Sequence, residues 1–367
     1  MKRLTYFFAT LCLSAMVCIS CTKEGPQGAP GEDGTDGMDG LSGTAGCIQC
    51  HTNNENMTIK SSEWATSAHV NGGHMTGYYA SRDGCADCHS SQGYQLAAMG
   101  SWDNPAPDKP LPANCYTCHQ IHETYTSDDW AFRVEDGGMP FLVNNQTSDQ
   151  GNANTCIVCH QSRIAEPEFT LADNNVSITN KRFGPHHGPQ GNMVAGAGVS
   201  GAYEVAGSMN YVNSMHASDA STSCVTCHMA SGAGSGGNFE LGGHSNNVAV
   251  GSWDDDSREV NVNGCISCHT EYTDNAGITA FVATARTANL ALIDQLAQEL
   301  TNLGYLDGDG YIANGGVTVS SSNALVVSPE HAAAIYNYKL ITEDRSVLIH
   351  NPKYAKALIN NSIEALQ

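Results

Sequence analysis

The chain has few basic residues. Its 367 positions carry 16 Lys and Arg against 37 Asp and Glu, a formal net charge of −21 at pH 7. That balance argues against nucleic-acid binding, because phosphate contacts need clustered cations. It suits basic or cationic partners, or simply solubility. Beyond the first twenty residues no stretch approaches the roughly 20 consecutive apolar residues of a membrane span. Core-forming residues are sparse too, as in "GSGGNFELGGHSNNVAVGSWDDDS" at 234–257. No nucleophile elbow, phosphate loop or other such catalytic motif occurs. A disulfide framework is also missing: of 15 Cys, 12 fall in one recurring motif, and the others are Cys12, Cys18 and Cys21 near the N-terminus.

That motif is Cys-x-x-Cys-His. It occurs six times, as Cys47/Cys50/His51, Cys85/Cys88/His89, Cys115/Cys118/His119, Cys156/Cys159/His160, Cys224/Cys227/His228 and Cys265/Cys268/His269. Cys-x-x-Cys alone fits a redox dithiol, half a zinc site or a c-type haem attachment. A zinc ribbon needs its pairs to associate two by two and gives no reason for His at one fixed offset. In the haem reading each thiol forms a thioether to a vinyl group and the next imidazole is held against the iron. Six covalent c-type haems are therefore expected. Intervals between first cysteines are 38, 30, 41, 68 and 41 residues, so the motifs are no tandem repeat.

The N-terminus pairs Lys2 and Arg3 with the apolar run "LTYFFATLCLSAMVCIS", and no acidic residue precedes Glu24. Residues 1–20 read as a secretory signal peptide. Ser20 before Cys21 resembles a bacterial lipoprotein processing site, with Cys21 as the lipidated residue, although Cys18 stands where Leu is usual. Plain cleavage near Ser20 is the alternative. Export agrees with the motif, since haem is attached to Cys-x-x-Cys-His outside the cytoplasm. Residues 21–46 continue with Gly at 25, 28, 31, 34, 37, 40, 43 and 46, the collagen period. Seven triplets with little proline make a marginal trimer, so the segment reads as an acidic stalk, with trimerisation as the alternative.

An iron with two imidazoles has no open position, so the sixth ligand separates carrier from catalyst. Besides the six motif histidines there are nine others: His69, His74, His122, His186, His187, His216, His244, His331 and His350. Six distal ligands are needed, so bis-His ligation throughout is permitted. His122 follows His119 by three residues and lies on the same side of a local turn, so as a ligand it would serve a neighbouring haem.

The chain from Cys47 onward resembles a family of bacterial multihaem c-type cytochromes. The resemblance rests on "SSEWATSAH" ending at His69, "RFGPHHGPQGNM" with His186 and His187, "YVNSMH" ending at His216, "CVTCHM" with "GGHS" at His244, and "IYNYKLITEDRSVLIHNPKYAKAL" with His350. It implies that His69, His187, His216, His244 and His350 are distal ligands, to which His122 is added from its position. His186 is the alternative to His187. His74 and His331 read as supporting or surface residues, and Met75 and Met229 as lesser ligand candidates.

Phe281, Ala285, Ala288, Leu292, Leu296, Leu300 and Leu303 follow helical spacing, with Gly304 as a stop. Asn351 before Pro352 predicts a helix start just after His350. Asp307 and Asp309 in "LDGDGY" suggest a calcium loop, but the later ligands are missing and a plain turn is expected.

The expected fold is mainly α with extensive loops, its core built around six covalently bound haems. Residues 47–276 form the hexahaem-binding region and 277–367 a helical region packing on it. The expected function is extracytoplasmic electron transfer, from a lipid-anchored position at the outer membrane on its periplasmic or cell-surface side. Other redox proteins or a periplasmic or extracellular electron acceptor would be the partners. One alternative is an oxidoreductase of the nitrite- or hydroxylamine-converting type with one open haem. Such nitrite reductases usually carry Lys in place of one motif His, and here all six motifs end in His. A conductive filament is the other alternative, against which the anchor and stalk argue.

Overall fold

Apolar residues at helical spacing are concentrated in the last quarter of the chain, and there the long helices form. Asn275–Asn302 opens on Asp274, whose Oδ1 accepts from the Gly277 N–H at 2.7 Å. It closes at Leu303, followed by Gly304 at φ +75°, where a Cβ would lie 2.9 Å from Gly315 Cα. Pro329–Asp344 starts with Ser328 as cap and proline as its first residue, and Pro352–Ala365 also begins on proline. The computed structural model describes residues 55–71, 77–218, 222–232, 239–254 and 256–367, all in the unit Gly46–Gln367. The signal segment, Cys21, the Gly-X-Y run, the first motif with Cys47, Cys50 and His51, and also His74 and Met75, lie outside the described residues.

The three helices enclose the largest apolar core, built from residues such as Leu296, Leu300, Ile335, Leu340, Tyr354 and Leu358. Phe183 and Ile178 from mid-chain complete it. Val176–Ile178 reaches this core as a strand paired antiparallel with Leu325–Val327, in the register Val176↔Val327 and Ile178↔Leu325. The described residues between 77 and 274 form helices of at most eight residues, two-residue hairpins and small satellite clusters. One holds Tyr94, Ala97, Val134, Met139 and Val158; another holds Phe141, Ile157 and Ala195.

The long helix departs from its expected stripe. Leu296 and Leu300 are buried together with Ile278 and Ile293, while Phe281 and Leu303 keep 37% and 40% of their surface exposed. The reason is that its first half meets only the small cluster of Val260 and Val262, and there Phe281 stacks on Tyr272 and sits 5.2 Å from the ring of His269. The helix is long and apolar enough to cross a membrane, yet its buried side chains pack into this chain's own cores. Leu300→Ala should cost about 2–5 kcal/mol, the range for emptying a closed core site, and chemical denaturation would measure it.

Asn351 stands at the helix start, as expected, but its side chain makes no cap. Its Oδ1 instead accepts from Ser214 N–H at 2.9 Å, and its Nδ2 donates to Met193 O and Asn213 Oδ1. This knot needs Gly196 at φ +67°, where a Cβ would run into Asn213 and Asn351. The tertiary links are available because a proline follows, leaving one amide fewer to cap.

Asp307 makes the expected turn. Its Oδ1 accepts from the N–H groups of Asp309 and Tyr311 at 3.0 and 2.9 Å, and its Oδ2 from Thr318 Oγ at 2.6 Å. The Thr318 bond and these amides hold its carboxyl below the usual range. A depressed folded pKa stabilises above the unfolded value, roughly 4, and the gain disappears as pH falls through the folded value. Protection of the 309–318 amides against hydrogen exchange, relative to their intrinsic rates, should therefore be high at neutral pH and fall in acid; Asp307→Asn should lower it at neutral pH and lose the acid response.

Candidate functional site

Each described motif closes a single turn, helical throughout in Cys224–His228 and a hydrogen-bonded turn in 265–269. The His N–H donates to the first cysteine's carbonyl at 3.0 Å in His89, His119 and His160, and at 2.9 Å in His269. This spacing places the first cysteine and the imidazole on one face of the turn. Two turns carry their own start signal: Asn114 with Thr117, and Ser223 with Thr226, form reciprocal caps around "CYTC" and "CVTCH". No disulfide joins any of the ten described cysteines.

Four motif imidazoles each face an imidazole from a distant part of the chain. Ring centroids are separated by 6.0 Å for His160 and His69, 6.4 Å for His119 and His244, 6.1 Å for His269 and His216, and 6.4 Å for His228 and His350. A metal–imidazole bond of about 2 Å on each side, plus about 1 Å from nitrogen to ring centre, places two centroids about 6 Å apart across one metal.

Spacing alone would also suit an ordinary aromatic contact. The second observation is which nitrogen meets the protein. His119 Nδ1 donates to Trp130 O at 2.7 Å, His216 Nδ1 to Ile349 O at 2.7 Å, and His228 Nδ1 to Asn246 O at 2.9 Å. His350 Nδ1 meets Asp344 Oδ1 at 2.6 Å, His160 Nδ1 meets Gln190 Oε1 at 2.9 Å, and His69 Nδ1 meets Ser67 Oγ at 3.2 Å. The nearest carboxylate atoms to His244 and His269 Nδ1 are Glu63 Oε2 at 3.7 Å and Glu271 Oε1 at 4.0 Å. Six of the eight thus bond Nδ1 to the protein, which leaves Nε2 for a metal, the arrangement of metal-bound histidine; the Nδ1 atoms of His244 and His269 lie beyond hydrogen-bond length of their carboxylates.

Burial keeps most of these rings neutral, the form that binds metal. It pulls the pKa of His69 to about 4, with His160 adding to the effect, and lowers those of His119, His160, His228 and His244. For His350 burial works in the same direction, but the Asp344 carboxylate overcomes it and the pKa is raised.

The remaining candidates sit differently. His187 is 61% exposed and its Nδ1 lies 2.7 Å from Glu343 Oε2. Among the described residues, no motif imidazole stands opposite it at the spacing of the four pairs. His186, at φ +70°, has its pKa lowered to about 4 by burial, then by His187, Arg163 and His89. His122 takes φ +64°, its Nδ1 meets Tyr116 OH at 2.7 Å, and Asp129 accepts its N–H. His331 meets Tyr305 OH at 2.8 Å, at the other end of its helix from Asp344. Asp129→Ala should release the loop at 122–125, which its carboxylate holds through the amides of His122, Thr124 and Tyr125. Faster proteolysis there would show it.

Neighbouring motifs abut. Cys159 Sγ lies 3.7 Å from Cys88 O, and Cys88 Sγ 4.0 Å from Val158 O. Thr117 Oγ donates to Ser91 Oγ at 2.8 Å, tying the third turn to the second. A Cβ on Gly264, just before Cys265, would lie 2.9 Å from Cys227 O, so the fifth and sixth turns touch as well. Sequence reasoning missed the Nδ1 acceptors. Ser67, Asp344 and Trp130 lie within reach along the chain, but Gln190, Asn246, Glu63 and Ile349 reach their imidazoles from 18 to 181 residues away, through the tertiary fold alone.

No family model and no curated protein matches the chain. Among solved structures it is similar to the outer cell wall cytochrome OcwA, with TM-score 0.50 and 19% identity over 83% of this chain and 50% of that one. An undecahaem cytochrome from the S-layer of Carboxydothermus ferrireducens is more distant, with TM-score 0.42 and 17% identity over 82% and 40% of the two chains. The chain thus spans half the length of the first of these proteins or less. Across most of its own length, it has the fold of the OcwA cytochrome.

Proposed function

We propose that the protein is an extracytoplasmic electron carrier holding six c-type haems. The observation that carries this reading is the set of four facing imidazole pairs, each joining a Cys-x-x-Cys-His turn to a distant histidine, with Nδ1 bonded to the protein in six of the eight rings. In each turn the two cysteines would form the thioethers and the histidine the proximal bond. His69, His244, His350 and His216 would close the fourth, third, fifth and sixth sites from the other side. His187 and His122 are assigned as further axial ligands from the sequence, with His186 as the alternative to His187. When bound, haem iron supplies one-electron chemistry at potentials set by its ligands and surroundings. The polypeptide's own work is to bury most of these imidazoles, fix the rotation of six of them through Nδ1 and pack successive turns against each other.

Residues 1–20 would be removed and Cys21 lipidated, leaving the carrier on a stalk at the cell envelope. An outer-cell-wall location of the similar cytochrome agrees with export. Its partners would be other redox proteins or an acceptor outside the cytoplasm. Mass spectrometry of the mature protein should show six haems and an acylated Cys21. Fewer haems would overturn the count; an N-terminus without acyl chains would overturn the anchor alone. Electron-spin resonance of the oxidised protein should show only low-spin iron, and a high-spin haem would move the reading to an enzyme with an open site.

A further inference from the structure

We infer that Gln190 and Asp344 on one side, and Ser67 and Asn246 on the other, are positioning residues that clasp the fourth and fifth haem sites into a single redox pair. The inference rests on the function proposed above. On the first side His160 Nδ1 donates to Gln190 Oε1 at 2.9 Å, Gln190 Nε2 donates to Asp344 O at 3.1 Å, and Asp344 Oδ1 accepts from His350 Nδ1 at 2.6 Å. On the second side Ser67 Oγ accepts from His69 Nδ1 at 3.2 Å and donates to Asn246 Oδ1 at 3.4 Å, while Asn246 O accepts from His228 Nδ1 at 2.9 Å. His160 faces His69, and His228 faces His350. The four imidazoles and four bridging residues therefore close a circuit.

Each clasp joins the proximal imidazole of one site to the distal imidazole of the other, so the two sites run in opposite sense. Six separate chain segments contribute, at 67–69, 160, 190, 228, 246 and 344–350, so the circuit is a product of the tertiary fold and not of local sequence. Its parts are held firmly: Ser67 and Asp344 are buried, and Gly191 gives its N–H to His160 O at 2.8 Å, where a Cβ would lie 2.7 Å from that oxygen. Buried polar groups persist only when bonded in this way. The side chains of Cys156 and Cys224 adjoin between the same two turns.

Two consequences follow for electrons. An added charge at one site is felt strongly at the other through a low-dielectric interior, so their potentials belong to the pair. The circuit is also lopsided: His350 leans on a carboxylate, whereas His160, His69 and His228 lean on neutral oxygens. A charged acceptor makes an imidazole a stronger donor, which lowers the potential on the fifth site relative to the fourth.

The test is a potentiometric titration of the holoprotein with dithionite, followed by optical and spin-resonance spectra, on wild type, Gln190→Leu and Ser67→Ala. Both variants should keep six low-spin haems by mass and spectrum. Each should shift the same two of the titrating components upward, although the substitutions lie on opposite sides of the pair. Movement of one component only, of different components in the two variants, or of none overturns the inference. If Gln190→Leu fails to fold, Ser67→Ala alone decides by moving two components or not. Absence of haem at Cys156/Cys159 or Cys224/Cys227 in wild type would sink the proposed function itself, an outcome distinct from six haems with an unclasped pair.

Discussion

Replacing His350 with alanine should leave all six haems attached, because the thioethers depend only on the cysteines of each motif, and should turn one low-spin haem high-spin or water-bound. The fold holds this imidazole hard. Arg345, Val347 and Leu348 just before it stand at φ +59°, +52° and +69°. Non-glycine residues in that region cost about 1–3 kcal/mol each and persist where surroundings enforce them. The enforcement is visible: Leu348 is buried, Asn289 Nδ2 donates to Val347 O at 2.9 Å, and Ser346 Oγ accepts from His350 N–H while donating to Asp344. Loss of the imidazole also strips the 2%-exposed Asp344 of a partner, which should cost about 1–3 kcal/mol. Asp344→Asn in the same protein should recover stability without recovering the low-spin spectrum. The affected potential should rise with the loss of an electron donor. A fully low-spin oxidised spectrum would show that His350 is no ligand, making His331 next to mutate; in the present reading His331→Ala changes no spin state.

Removing the fourth attachment, by Cys156→Ser with Cys159→Ser, should damage the protein far more than the same change at Cys265 and Cys268. The fourth turn is the centre of the mid-chain region. Ile157 and Val158 are buried in two different clusters, Cys159 touches Cys88, and both clasps of the fifth site start from His160 and His69. The sixth turn is peripheral, with Cys268 exposed and Ile266 37% exposed. Loss at the fourth turn should exceed the about 2–5 kcal/mol of a single core truncation and should also interrupt electron passage between the second and fifth turns. Denaturation midpoints and stopped-flow reduction of the two five-haem proteins would compare them. Equal losses would refute the central role of the fourth turn.

The five described motif turns were legible because each is local: five residues span the motif, and Asn114 or Ser223 even announces where two of the turns begin. The C-terminal helices were legible for the same reason, from periodicity and from the prolines at 329 and 352. Pairing was only partly so. That His350 precedes a rigid helix start could be read from Asn351 and Pro352, but that it faces His228 depends on residues far apart in sequence. Gln190 and Asn246 could not be found, since an amide among loops carries no pattern until the chain has closed around it. Phe281 was read as part of a core stripe, yet it packs on an imidazole and a tyrosine, because a period of 3.6 specifies a face and not what will cover it.

The pairing of Val176–Ile178 with Leu325–Val327 has a consequence for timing. Everything between these strands, including the fifth and sixth turns and the long helix, must emerge before the two can meet. Closing so large a loop is entropically uphill and slow. During that interval the cysteines stand open to whatever loads them. On the proposed function, the last helices would then act as a latch that docks after loading and seals the conductor. A chain ended before Pro329 should therefore still acquire its haems and yet remain sensitive to protease throughout its middle.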